Sequence, residues 1–342
     1  MRRVLIVLKV VFSVFVVSAQ QEAQFSQYMF INSAINPGAS GIKGMHCFDL
    51  IAREQWIGFE GRPETGLLSY NGMLPKKSNI GIGGVLVYDR IGFQDNINFK
   101  LNGARHFNIG SNGAKLGLGL DVGIMQKMMS GIPKAGNNLD PLVDLSGNPN
   151  DMGFDLGFGI FYYKPITSGN GLYFGVSGQK LLPQKLTLGS ATPQVRQHAY
   201  ITAGFNNKVT PNFDLRPSML VKTDLTSTQM DLNLTAEFSK ALWLGASYRV
   251  TDAFVANIGV NYWNKDKDGN RVGQPLKIGI AYDFTMQSLK NRGTFTSWNE
   301  AGTAENVNNN NRSFGSVELY ISKCIIPPPK PDFEDYTDPL LL

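Results

Sequence analysis

Residues 93–126 constrain the fold more than any other stretch. In the first half, FQDNINFKLNGARHF, Ile97, Phe99 and Leu101 alternate with Asn96, Asn98, Lys100 and Asn102. In the second half, AKLGLGLDVGIMQ, Leu116, Leu118, Leu120, Val122 and Ile124 alternate with Lys115, Gly117, Gly119, Asp121 and Gly123. A period of two puts the apolar set on one face of a strand and the polar or glycine set on the other. The intervening NIGSNG is rich in residues that tolerate tight turns, so the stretch reads as a hairpin. Each strand is at least as long as the roughly 9–11 residues that cross a bilayer, whereas strands of soluble sheets average about 5–6. The oily face therefore looks either at a protein core or at lipid.

The first nineteen residues help to decide. Arg2 and Arg3 precede a mostly apolar run over residues 4–17 that ends in Val17-Ser18-Ala19. This is the layout of a secretory signal peptide, with cleavage expected between Ala19 and Gln20. Beyond it no apolar run is long enough for a transmembrane helix. Charged residues make up only 17% of the 342-residue chain, below the roughly 25% usual in soluble domains. Aromatic residues reach 11% and glycine numbers 37. The formal net charge of +5 has no dense basic cluster behind it, so nucleic acid is not an expected partner.

Alternating segments recur from residue 44 to residue 324, and fourteen can be counted, an even number as in bacterial single-chain barrels. In TQMDLNLTAEF, Met230, Leu232 and Leu234 oppose Asp231, Asn233 and Thr235. The expected fold is all-β: a transmembrane up-and-down antiparallel barrel with long extracellular loops and short periplasmic turns. It implies an outer-membrane location in a Gram-negative cell, surrounded by outer-membrane lipid, with both termini periplasmic. Residues 20–43 lack a clean period and read as a plug in the lumen or a wrap around the periplasmic mouth. Residues 325–342 form a proline-rich periplasmic tail in which Phe333 and Tyr336 are candidate anchors for a partner. By parity Lys100, Lys115, Asp121, Asp231, Arg249 and Asp283 line the lumen, which is either an open water-filled pore or a plugged one. Gly81 to Gly84 are read as room for bulkier neighbours, and residues 265–275 as a longer periplasmic turn.

Cys47 falls near the start of the first strand and Cys324 at the end of the last. They are either unrelated small residues or a disulfide across the seam, since these strands become neighbours when a barrel closes. His46, His106 and His198 lie on three different strands, and neither HExxH nor GxSxG is present. No catalytic residue, cofactor site or metal site is expected. The run Asn264 to Gly269 opens like a calcium loop, but Pro275 stands where the closing glutamate belongs, so it reads as a hairpin turn.

Several segments resemble, in order, the PorP/SprF family of Bacteroidota outer-membrane proteins: QFSQYMFINSAINPGASG, AREQWIGFEGRPET, VYDRIG, LGLGLDVGIMQ, YFGVSGQKLLP and IGIAYDFT. The resemblance implies a non-enzymatic barrel of the type IX secretion and gliding system. It implies periplasmic secretion partners, either ring lipoproteins or a peptidoglycan-binding lipoprotein, and the C-terminal domain of a secreted adhesin. Phe25, Tyr28, Phe30, Glu54, Gln55, Trp56, Gly58 and Phe59 are the matching positions expected to hold structure or touch a partner. The alternative is a solute pore in which the lumen does the work.

Overall fold

The computed structural model describes residues 22–59, 61–74, 79–129, 149–167, 170–188, 194–286, 295–298, 304–307 and 314–327. Fourteen strands close into one antiparallel barrel in which every strand pairs with its neighbours in sequence. They are β1 (His46–Glu54), β2 (Glu64–Met73), β3 (Ile80–Ile91), β4 (Gln94–Ile109), β5 (Ala114–Met129), β6 (Asn150–Thr167) and β7 (Asn170–Gln179). The second half comprises β8 (His198–Thr210), β9 (Phe213–Thr223), β10 (Thr228–Phe238), β11 (Leu242–Arg249), β12 (Ala253–Lys265), β13 (Arg271–Thr285) and β14 (Ser316–Ile325). Two short hairpins, Gln184–Lys185 with Gln194–Val195 and Phe295–Trp298 with Ala304–Val307, stand apart from the barrel sheet.

Alternation fixes the two faces. Along β4 and β5, Phe99, Leu101, Leu118, Leu120, Val122 and Ile124 are exposed on the outside, while Lys100, Asn102 and Asp121 are buried inside. The same outward belt includes Leu50, Leu68, Leu86, Phe154, Leu234, Ile258 and Ile280. An apolar surface of this extent on a closed barrel is the lipid-facing band of a membrane protein. No described helix is long and apolar enough to cross a membrane.

The expected turn over residues 265–275 is shorter than that. β13 begins at Arg271, and Asp266 Oδ1 accepts from the backbone N–H groups of Asp268 and Asn270 at 3.0 and 2.8 Å. This Asx arrangement replaces the ladder at the tip. The register with β12 shifts between Tyr262 and Asn264, opposite Gly273 at φ +69° and Pro275. A bulge there absorbs the proline, which has no N–H for the ladder.

The seam joins β1 to β14 in register from His46↔Ile325 to Glu54↔Val317. Cys47 lies opposite Cys324, and their sulfurs are bonded. A link across 277 residues of sequence removes unfolded-chain entropy worth about 2–5 kcal/mol. The Cys47→Ala, Cys324→Ala double variant should therefore still close its barrel, because the nine-pair ladder remains, but unfold earlier by that amount. Denaturant titration of the unboiled barrel band on gels measures this. An unchanged midpoint, together with no mobility shift of boiled wild type on reduction, would contradict the linkage.

Candidate functional site

The lumen is occupied by the chain itself. Residues 22–43 enter it as three short helical turns, Tyr28–Phe30, Asn32–Ile35 and Pro37–Ala39. Most of their residues are buried, Tyr28 and Ile31 to 1% exposure and Gln27 and Ser40 to 0%, and the rest are half-buried. Glu22 lies beside Lys180, just past the end of β7, whereas Ile325 pairs with His46 at the opposite end. Glu22 and the end of β14 are thus at different mouths.

Three sets of contacts hold this plug. The first is apolar: Tyr28, Ile31, Ala34 and Ile35 pack against Ile51, Leu67, Val85, Leu220 and Tyr320 on the inner wall. Phe30 stacks on Tyr320 at 4.9 Å and meets Trp243 edge-on at 5.0 Å, and Phe25 packs beside the same cluster. The second is backbone on backbone. A Cβ at Gly117 would stand 2.0 Å from the Gly38 carbonyl oxygen, and one at Gly81 would stand 1.8 Å from that of Ser40. The inward glycines are there because only a missing side chain lets two backbones approach this closely. Nearby, Asn102 Nδ2 donates to the Ser33 carbonyl at 2.9 Å and Asn36 Nδ2 to that of Ile160 at 2.9 Å.

The third set is a buried ionic network at the end away from the disulfide. Glu318 accepts from the backbone N–H groups of Ser26 and Gln27 at 2.7 and 2.8 Å. The Ser26 hydroxyl donates to Asp283 at 2.7 Å and accepts from Arg53 at 2.7 Å and Arg249 at 3.2 Å. Arg53 pairs with Asp283 at 2.8 Å, and Arg249 with Asp231 at 3.1 Å and Asp283 at 3.0 Å. All five ionic side chains are exposed by 4% or less. Charges buried this deeply are tolerated when they are paired, and here the plug supplies part of the pairing. Beside the network, Glu22 is paired with Lys180 and lies near His198. Burial alone would raise the Glu22 carboxyl, but Lys180 and His198 outweigh it and hold it down at about 2.

Of the residues expected in the lumen, Asp231, Arg249 and Asp283 converge in this network. Lys100 and Asp121 are buried on the wall elsewhere, and Lys115 is half-buried. Trp56 is 36% exposed at φ +52° in the loop after β1, and Phe59 is half-buried. That loop is tied to the residues just before β14 by Ile57 N–H to Gly315 O and Phe314 N–H to Ile57 O, both 2.9 Å. Phe333 and Tyr336 lie outside the described residues, as do residues 1–21. Among the described residues no three His, Cys, Asp or Glu side chains converge as a metal site. Sequence reasoning did not single out Ser26, Gln27 or Arg53. Parity along β1 places Arg53 inward with Asp49 and Ile51, which was the available signal.

A family model described as type IX secretion system membrane protein PorP/SprF matches residues 17–298. No curated protein matches the chain. Among solved structures, it is similar to the Pseudomonas putida toluene transporter TodX, with a TM-score of 0.51 at 11% identity, covering 92% of this chain and 99% of that one. The monoaromatic hydrocarbon channel CymD follows at 0.48 and 10%, covering 88% and 92%. A Pseudomonas aeruginosa FadL homologue matches at 0.46 and 12%, covering 85% and 92%. At this identity the TodX likeness shows the barrel fold alone.

Two variants test how the plug is held. Gly117→Ala places a methyl group against the Gly38 carbonyl, and Glu318→Ala strands the Ser26 and Gln27 amides and half of Arg53, a loss of about 3–5 kcal/mol. Both should open residues 22–43 to limited proteolysis while the unboiled barrel band persists; resistance equal to wild type would contradict the contacts. The Glu22 pair has a defined pH window. Its folded carboxyl is depressed from 4.5 to about 2, so its stabilisation is fully present above about pH 5 and is lost as pH falls through about 2. The melting difference between wild type and Glu22→Gln should be constant from about pH 7 to 5 and fade towards pH 2.

Proposed function

Because the chain belongs to the type IX secretion system membrane protein PorP/SprF family, we propose that it is a non-enzymatic outer-membrane component of that machine, working through the surfaces at its two mouths. The observation that carries this reading is the plug. Residues 22–43 fill the lumen and are bonded into the wall, so the barrel offers docking surfaces more readily than a through-path. A chain that spends its lumen on its own segment has little room left for a solute route.

In this reading the disulfide end faces the periplasm. It engages periplasmic secretion components, a ring lipoprotein or a peptidoglycan-binding lipoprotein, and the proline-rich tail with Phe333 and Tyr336 contributes to that contact. The opposite mouth, where the loop carrying Trp56 and Phe59 is tied to Gly315 and Phe314, receives the C-terminal domain of a secreted adhesin. Bringing these together needs positioning and no chemistry.

Two measurements on the purified full chain test the proposal. Capture from outer membranes in mild detergent should recover secretion components, and planar bilayers should show no steady conductance. Steady conductance with no co-purifying secretion component would replace this reading with that of a solute channel.

A further inference from the structure

Between the plug and the disulfide end the lumen leaves a cavity of about 120 Å³, lined in part by Phe30, Lys43, Asn71, Arg216, Thr235 and Lys277. Its cations are unevenly served. Arg216 is neutralised by Glu237 at 2.7 Å and Asp214 at 3.3 Å. Lys43 and Lys277 are half-buried, and among the described residues neither is paired with a carboxylate. The Lys277 ammonium lies over the face of Phe30, 5.9 Å from the ring centroid. Arg216 adds a buried Nε–H without a partner. Two partly desolvated ammonium groups thus share one cavity without a salt bridge, and the carboxylates near Lys277 are already engaged, Glu237 with Arg216 and Asp49 with Ser69 and Tyr320, so an arriving carboxylate gains charge-assisted bonds at a reduced desolvation cost.

We propose that this vestibule binds the carboxylate side chains of the chain's own acidic tail. The tail starts from the same mouth. β14 ends there at Ile325, and the residues that follow carry Asp332, Glu334, Asp335 and Asp338 against the single Lys330. Pro327, Pro328, Pro329 and Pro331 favour an extended path of about 3.1 Å per residue, so the seven residues from 326 to 332 reach about 20 Å. Fourteen strands about 4.8 Å apart and tilted by about 40° close at a radius of about 14 Å, so the first carboxylate can reach the barrel axis. The cavity and its lysines are independent of the secretion reading, so either can fail without the other.

The test uses full chains in detergent and, as probe, a fluorescent synthetic peptide with the sequence of residues 328–342. The receptors are wild type and a full chain with its tail neutralised by Asp332→Asn, Glu334→Gln, Asp335→Asn and Asp338→Asn. Anisotropy should report saturable binding to the neutralised-tail chain. Adding Lys43→Gln and Lys277→Gln should weaken it at least about tenfold, the loss expected for a charge-assisted bond, whereas Lys43→Arg and Lys277→Arg should preserve it. Weak binding to wild type would identify the chain's own tail as the occupant. Equal binding to wild type would mean that the chain's own tail does not occupy the site and would overturn the proposal. No binding to the neutralised-tail chain, or binding indifferent to the two glutamines while the barrel band is intact, would overturn the proposal.

Discussion

The close approach of two backbones, at Gly38 against Gly117 and Ser40 against Gly81, sets the interior of this barrel. Any side chain on the wall at these points would occupy the plug's own atoms. With the plug seated there, its apolar residues meet inward apolar residues of β1, β2, β3 and β9, and its amide groups arrive at Glu318. The ionic network then becomes tolerable, because Asp283, Glu318, Arg53 and Arg249 share Ser26 as a common partner in place of water. Interior charge, interior glycine and interior oil are thus three consequences of one inserted segment.

Much of the wall was legible because a membrane strand carries its own evidence. Alternation along β4, β5 and β10 gave the faces directly, and all fourteen strands were expected, with β10 placed at its observed limits. The early start of β13 was missed because Gly273 and Pro275 read as turn residues, while a bulge keeps them in the strand. The interior was harder. Ser26 and Glu318 are separated by 292 residues, and no local pattern reports such a contact. A plug packed on all sides by irregular backbone also has no period of its own.

One signal was nevertheless present. Leu50-Ile51, Leu67-Leu68 and Val85-Leu86-Val87 break the alternation by placing apolar residues on both faces. Ile51, Leu67 and Val85 are the inward members, exposed by 2% or less. A lumen filled with water would not favour them, so both-sided apolar runs in a barrel strand mark the level at which something apolar sits inside. The rest of the candidate site is a matter of surfaces at the mouths, where the tail beyond residue 327 and much of the loop between β13 and β14 fall outside the described residues.

Hydrogen exchange of the barrel in a lipid nanodisc tests the central claim most directly. The backbone amides of residues 26–40 should be protected by orders of magnitude relative to an unfolded peptide, because Ser26 and Gln27 donate to Glu318 and the following turns are buried against the wall. Exchange of that segment at unfolded rates, with the strands themselves protected, would mean that the lumen is not filled by this plug.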